Sequence, residues 1–198
     1  MRPQTCLQVL TPLLSKPYFT SKQVRSIGVS ISALNHYIKI GKIKRIRRGV
    51  YQGSEYKNVD SFRWKDLVEA VYSIPGGVIC LISALAVYDL TEEFPRQHWI
   101  GIRHGTSAKR SRQIKIVRFR DLELGKTEIN LEGESVPVFD RERTVIDAFR
   151  YLSRETAIKA LKAAITKDRK ERLDLIKLEA YARRLRFDIA PYLQSVTI

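Results

Sequence analysis

Ser30 to Gln52 reads SISALNHYIKIGKIKRIRRGVYQ: a short amphipathic helix, a glycine, then a ribbon crowded with lysine and arginine. From Lys39 to Arg48 the run carries Lys39, Lys42, Lys44, Arg45, Arg47 and Arg48 and no acidic residue. Ile31, Leu34 and Ile38 fall at i, i+3 and i+7, the spacing of one buried helical stripe. At about 100° per residue, Ser32, Ala33 and His36 then point away from that stripe, with Asn35 and Lys39 on its flanks. Ile43 to Ile46 and Val50 to Gln52 read as two short strands turned by Arg47-Arg48-Gly49, where glycine supplies the positive φ of a tight turn.

Upstream, Leu7, Leu10, Leu13 and Leu14 recur at helical spacing and predict a first helix ending before Pro17. Thr20 is the expected N-cap of a second helix holding Val24 and Ile27, with Gly28 at its exit. Two helices joined by a short glycine-containing turn form a helix-turn-helix, whose second helix enters the major groove. Residues 1–60 therefore read as a winged helix-turn-helix head, with double-stranded DNA as its first partner. Lys42, Lys44, Arg45, Arg47 and Arg48 are expected along the phosphates, with Tyr51 beside them, while Ser32, Asn35, His36 and Lys39 face the groove. About five phosphate contacts give a salt slope near −4 to −5, and replacing Arg47 and Arg48 together should flatten it by about two units.

Charge supports this division. The chain carries 36 Lys/Arg against 21 Asp/Glu, a formal net charge of +15. Residues 1–60 hold 11 basic residues against Glu55 and Asp60, so +9 of that excess lies in less than a third of the chain. A front-loaded positive charge favours a polyanion-binding head on a less polarised body. Hydrophobic residues at 44% exclude general disorder. Cys6 and Cys80 are too far apart and too few for a zinc quartet or a disulfide framework, so a reducing cytoplasm is expected. The longest apolar stretch, Val78 to Tyr88, is too short to cross a bilayer, and the N-terminus is a poor secretion signal.

The body, 62–198, reads as α+β. Trp64, Leu67, Val68, Val71 and Tyr72 mark a helix stopping at Pro75-Gly76-Gly77, and Val78 to Tyr88 a buried segment leading into a packed helix. Gln97 to Ile102 and Ile114 to Phe119 are expected strands, and Thr127 to Leu131 with Ser135 to Phe139 a hairpin. Helices follow: one capped by Asp140 with Val145, Ile146, Phe149 and Leu152, one capped by Ser153, and a third from Leu173 to Leu185 with Leu175, Leu178, Ala182 and Leu185 on one face. The fold class is thus a winged helix-turn-helix followed by a mixed α/β domain ending in helices.

A second basic tract runs from Arg103 to Arg120 with Arg103, Lys109, Arg110, Arg112 and Lys115 at its front and no acid. It extends a nucleic-acid footprint, faces an acidic or RNA-bearing partner, or protects an exposed strand edge with charge. Catalytic signals are weak. His36, His98 and His104 stand in no HExxH or HxH spacing, and GxSxG, GxGxxG and Gly-Lys-Ser/Thr loops are absent. Asp140, Glu142 and Asp147 cluster, but Asp140 caps a helix and Arg143 and Asp147 stand four apart as an ordinary ion pair. No catalytic, cofactor-binding or metal residue is assigned.

Three blocks together resemble one family. They are Leu34-Asn35-His36-Tyr37 through Gly41 to Tyr51, Ser83 to Thr91, and Val138-Phe139-Asp140-Arg141-Glu142-Arg143-Thr144-Val145-Ile146-Asp147-Ala148. In that order they resemble the AbiEi antitoxins of type IV toxin–antitoxin and abortive-infection systems. The resemblance implies a head that represses its own operon and a C-terminal domain that counters a nucleotidyltransferase-fold toxin, in phage defence. Family members often place His-Gly where this chain has Tyr88-Asp89, so a role attached to that histidine does not carry over. The alternatives are a nuclease with a winged-helix head, and a transcription factor with a ligand-sensing body.

Overall fold

The computed structural model describes residues 6–56, 63–93, 95–108, 111–168 and 171–196. The chain divides into two units: residues 1–75 with 130–135, and residues 76–129 with 136–198.

The first unit begins with α1 (Cys6–Leu14), β1 (Phe19–Thr20), α2 (Ser21–Ser26), α3 (Ile31–Lys39), β2 (Ile43–Arg47) and β3 (Val50–Gly53). Local chemistry sets the helix starts. Thr20 accepts from the Gln23 amide while Gln23 Oε1 takes the Thr20 amide at 2.7 Å, a complete capping box. Ser30 Oγ accepts the Ala33 amide at 3.1 Å and starts α3. The three strands pair antiparallel in the order β1-β3-β2. Gly49, with φ of +80°, closes the β2–β3 turn. Leu10, Leu13, Phe19, Val24, Val29, Leu34, Ile43 and Tyr51 form the core beneath them. Each such side chain contributes about 1.5–3 kcal/mol when fully buried. This mixture of helices and strands is consistent with a winged helix-turn-helix N-terminus.

Two details of α3 differ from the spacing argument. Ile31 is exposed, and Ala33, Leu34, Tyr37 and Ile38 make the packed face instead. Ser30 caps the helix, so Ile31 is its first residue and overhangs the core, turning the buried stripe towards Ala33. The two-residue strand β1 is too short to leave a period-two signal.

The first unit runs past the expected limit of the head at residue 60, to Pro75. Residues 60–62, where the boundary was drawn, lie outside the described residues. The extension is α4 (Lys65–Ser73), which packs on β2 and β3 and buries Leu67, Val68, Glu69, Ala70 and Val71. Glu132 accepts the Trp64 amide at 3.0 Å, and Glu134 accepts the Tyr72 hydroxyl at 2.7 Å. These bonds explain why 130–135 joins this unit.

The second unit carries β4 (Val78–Ile79), α5 (Leu81–Val87), β5 (His98–Arg103), β6 (Ile114–Phe119), β7 (Lys126–Leu131), β8 (Glu134–Phe139), α6 (Arg141–Tyr151), α7 (Arg154–Thr166), α8 (Leu175–Arg184) and α9 (Ala190–Val196). The tip of the β7–β8 hairpin is the 130–135 segment counted with the first unit. The sheet order is β6-β5-β4-β8-β7, with β4 antiparallel to β5 and parallel to β8, and β5 parallel to β6. Val78, Cys80, Leu81, Phe119, Leu122 and Phe139 form a core cluster. The Cys80 thiol is unpaired and fully buried, and burial raises its pKa, so it is an inert packing group. Asp89 ends α5 with φ of +56°, a left-handed conformation that glycine takes freely and aspartate tolerates. Leu175, expected on the buried face of α8, is exposed; Leu178 and Ala182 make the contact. The terminal helix α9 has no counterpart in the sequence reading.

Candidate nucleic-acid interface

The outward face of α3 gathers the residues expected to face the groove. Ser32, Asn35, His36 and Lys39 are exposed, and with Ile38 they line one shallow depression. They recur at i, i+3, i+4 and i+7, so backbone geometry alone brings them together. Lys44, Arg45 and Arg48 are exposed along β2 and its turn. Lys42 is exposed too and lies 3.0 Å from the exposed carboxylate of Glu55. Exposed pairs of this kind contribute about 0–1 kcal/mol and yield readily to a phosphate.

Two expected contacts do not join this surface. Tyr51 is only 7% exposed; its ring stacks on Phe19 at 5.9 Å in the core, and its hydroxyl accepts from Ser21 Oγ at 3.5 Å. Arg47 turns inward, its Nε 3.0 Å from Glu69 Oε2, with side chains 19% and 6% exposed respectively. The reason lies in the ladder: Arg45 pairs with Tyr51 and Arg47 with Val50, so a bulge falls at Ile46 and resets which side chains face out. Without the bulge, Arg45 and Arg47 would share a face.

Lys22 and Arg25 are exposed on α2, the helix packed beside α3, and the sequence reading passed over both. Their signal was available: a capped helix ahead of the reading helix crosses the phosphate backbone in such modules. Glu69 left no comparable local signal.

Residues 8–52 match a family model described as a transcriptional regulator, AbiEi antitoxin. The matched AbiEi segment begins within α1 and ends within β3, so it contains the α3 depression and the basic turn. It covers under a quarter of the chain, and Glu69 and the whole second unit lie outside it. No curated protein matches the chain.

The second basic tract lies in the second unit. Strand β6 is an end strand of the five-stranded sheet, with Lys115 and Arg118 exposed on it and Arg112 exposed just before it. Lys115 Nζ sits 3.9 Å over the Trp99 ring, and Arg103 lies 3.5 Å from Glu123. Lys109 and Arg110 fall outside the described residues.

The acidic cluster around α6 is engaged structurally. Asp140 caps α6 by accepting the Arg143 amide at 2.9 Å and lies 3.0 Å from Lys177. Glu142 accepts the Asp174 amide at 3.0 Å and pairs with Lys177 at 3.1 Å. The Arg143–Asp147 pair is not an ordinary surface pair: it is 2.6 Å long, with side chains 1% and 0% exposed. Arg143 also donates to the carbonyls of Leu124 and Asp121, and Asp147 accepts from Arg150 at 2.7 Å. Among the described residues no three His, Cys, Asp or Glu side chains stand together as metal ligands. Among the same residues no helix is long and apolar enough to cross a membrane.

Proposed function

We propose that the first unit is a winged helix-turn-helix that binds operator DNA and represses its own operon, and that the second unit counters a nucleotidyltransferase-fold toxin. The observation that carries the DNA half is the concentration of Ser32, Asn35, His36 and Lys39 on one exposed face of α3, in a unit whose β2–β3 turn exposes Lys44, Arg45 and Arg48. Side chains with both donors and acceptors suit base edges, while exposed cations suit phosphates. Lys22 and Arg25 extend the phosphate-facing charge on α2. The AbiEi match over 8–52 supports the regulatory role. The toxin half rests on the resemblance of the Ser83–Thr91 and Val138–Ala148 blocks.

The test for DNA binding is fluorescence anisotropy of the full chain on a duplex from the region upstream of its own gene, titrated with salt. Lys44, Arg45 and Arg48 contribute about −0.9 each, so a slope of roughly −3 or steeper is expected. Binding that does not respond to salt overturns the reading. For the toxin half, co-expression with an adjoining nucleotidyltransferase gene should restore growth, and unrelieved growth arrest overturns that assignment.

A further inference from the structure

Glu69 lies on α4, outside the AbiEi-matched segment, yet its side chain reaches β2 at an outer edge of the head's sheet. On one side Arg47, the last residue of β2, places Nε 3.0 Å from Glu69 Oε2. On the other, Tyr18, the residue before β1, is buried close to the same carboxylate, whose charge adds to burial in raising the tyrosine pKa. Between them runs β3, pairing through Tyr51 and Val50 with Phe19 and Thr20 of β1 and with Arg45 and Arg47 of β2. One buried carboxylate on α4 therefore holds the last residue of β2. It does so beside the bulge at Ile46, where the ladder is interrupted.

We infer that Arg47 is a positioning residue: tied to Glu69, it orients the Arg47-Arg48-Gly49 turn so that Arg48 and its neighbours meet the DNA, and it does not itself bind a phosphate. The consequence for DNA rests on the DNA-binding reading above; the orienting of the turn does not. The physical argument is desolvation. Moving Arg47 to a phosphate strands the Glu69 carboxylate, 5% exposed, without its cation, and an unpaired buried charge is costly. Lys44, Arg45 and Arg48 carry no such restraint in the described contacts, so the phosphate load falls on them. The same geometry makes α4 part of the DNA-binding unit.

The experiment uses the full chain and two readouts. Salt titration by anisotropy compares Arg47→Met, Glu69→Ala, Glu69→Gln and Arg48→Ala on the upstream duplex. Arg48→Ala should flatten the slope by about one unit. Arg47→Met should weaken binding roughly tenfold with the slope unchanged, as loss of geometry rather than of a contact. Glu69→Ala should do the same, and Glu69→Gln, which keeps an acceptor for Arg47, should retain most of the affinity. A slope for Arg47→Met reduced as much as that of Arg48→Ala, or tighter binding in Glu69→Ala, overturns the inference. Hydrogen exchange is the second readout: amides of β2 and β3 should exchange faster in Glu69→Ala than in the parent chain. Unchanged exchange there overturns the positioning role even if the parent chain binds no duplex, an outcome that by itself counts only against DNA binding.

Discussion

Two arginine-rich stretches of this chain use the same side chain in opposite ways. In the β2–β3 turn, Arg45 and Arg48 stand in solvent. In α6, Arg143 is sealed between Asp147 and the carbonyls of Leu124 and Asp121, with its guanidinium 4.6 Å from the Phe139 ring centroid. An exposed guanidinium is available to a polyanion and contributes little to stability. A buried one is committed to its partners, and removing either side leaves a stranded charge. Arg47 lies between these extremes, in a basic ribbon yet held by a buried carboxylate.

The comparison can be broken most severely at α6. Arg143→Ala should cost about 3–5 kcal/mol, read as a large fall in thermal stability, because Asp147 is left buried with only Arg150 beside it. A loss under about 1 kcal/mol contradicts the role of that pair. Gly125 tests the same region from the other side. It has φ of +70°, and a Cβ there would lie 2.6 Å from Arg143 Cβ and 2.9 Å from Asp140 Oδ1. Gly125→Ala should therefore destabilise by about 2 kcal/mol or more, again in thermal melts.

The exposed stretch should answer differently. Replacing Lys44, Arg45 and Arg48 together by alanine should flatten the salt slope by about 2.5–3 units while unfolding stability shifts by only about 0.5 kcal/mol per site. With Arg47 engaged by Glu69, the pair Arg47→Ala and Arg48→Ala should flatten the slope by about one unit, not the two expected from sequence. His36→Ala sharpens the contrast within the head. It should reduce preference for the upstream duplex over a random one by about 1–3 kcal/mol and leave random-duplex affinity unchanged, measured by competition.

The smallest effect concerns Glu134, buried against Tyr72 in the first unit. Burial pushes its pKa up, offset in part by the Tyr72 hydrogen bond and by the charge of Lys16. A raised carboxylate means that the folded state holds its proton more tightly than the unfolded chain does. Stability from this group is therefore present below the ordinary glutamate pKa of about 4.3 and lost as pH rises through the raised value. Glu134→Gln should remove that slope from stability-versus-pH curves and leave neutral-pH stability equal or slightly higher.

Much of the fold was legible because it is written locally. Thr20, Asp140 and Ser153 cap helices as the sequence indicated, each through a side chain and an amide three residues away, and Ser30, expected only as part of a turn, caps α3 in the same way. The strands Ile43–Arg47 and Ile114–Phe119 announce themselves through β-branched residues between turn signals. Legibility failed where a distant partner decides. Arg47 changes sides because a bulge shifts the register, Tyr51 is drawn into the core against Phe19, and Glu69 is 22 residues from the arginine that it holds. Arg143 and Asp147 have the spacing of a surface pair, and only the loop of Asp121 and Leu124 closing over them makes the pair a buried one.

By itself, the order of residues determined where most helices and the longer strands begin, that α3 carries a polar face with Ser32, Asn35 and His36, and that positive charge gathers at the front of the chain. Those properties depend on backbone periodicity and on neighbours within a turn. Only the tertiary structure decided which cations meet water and which meet a carboxylate. Desolvation depends on what packs above a side chain, and that neighbour can come from anywhere in the chain.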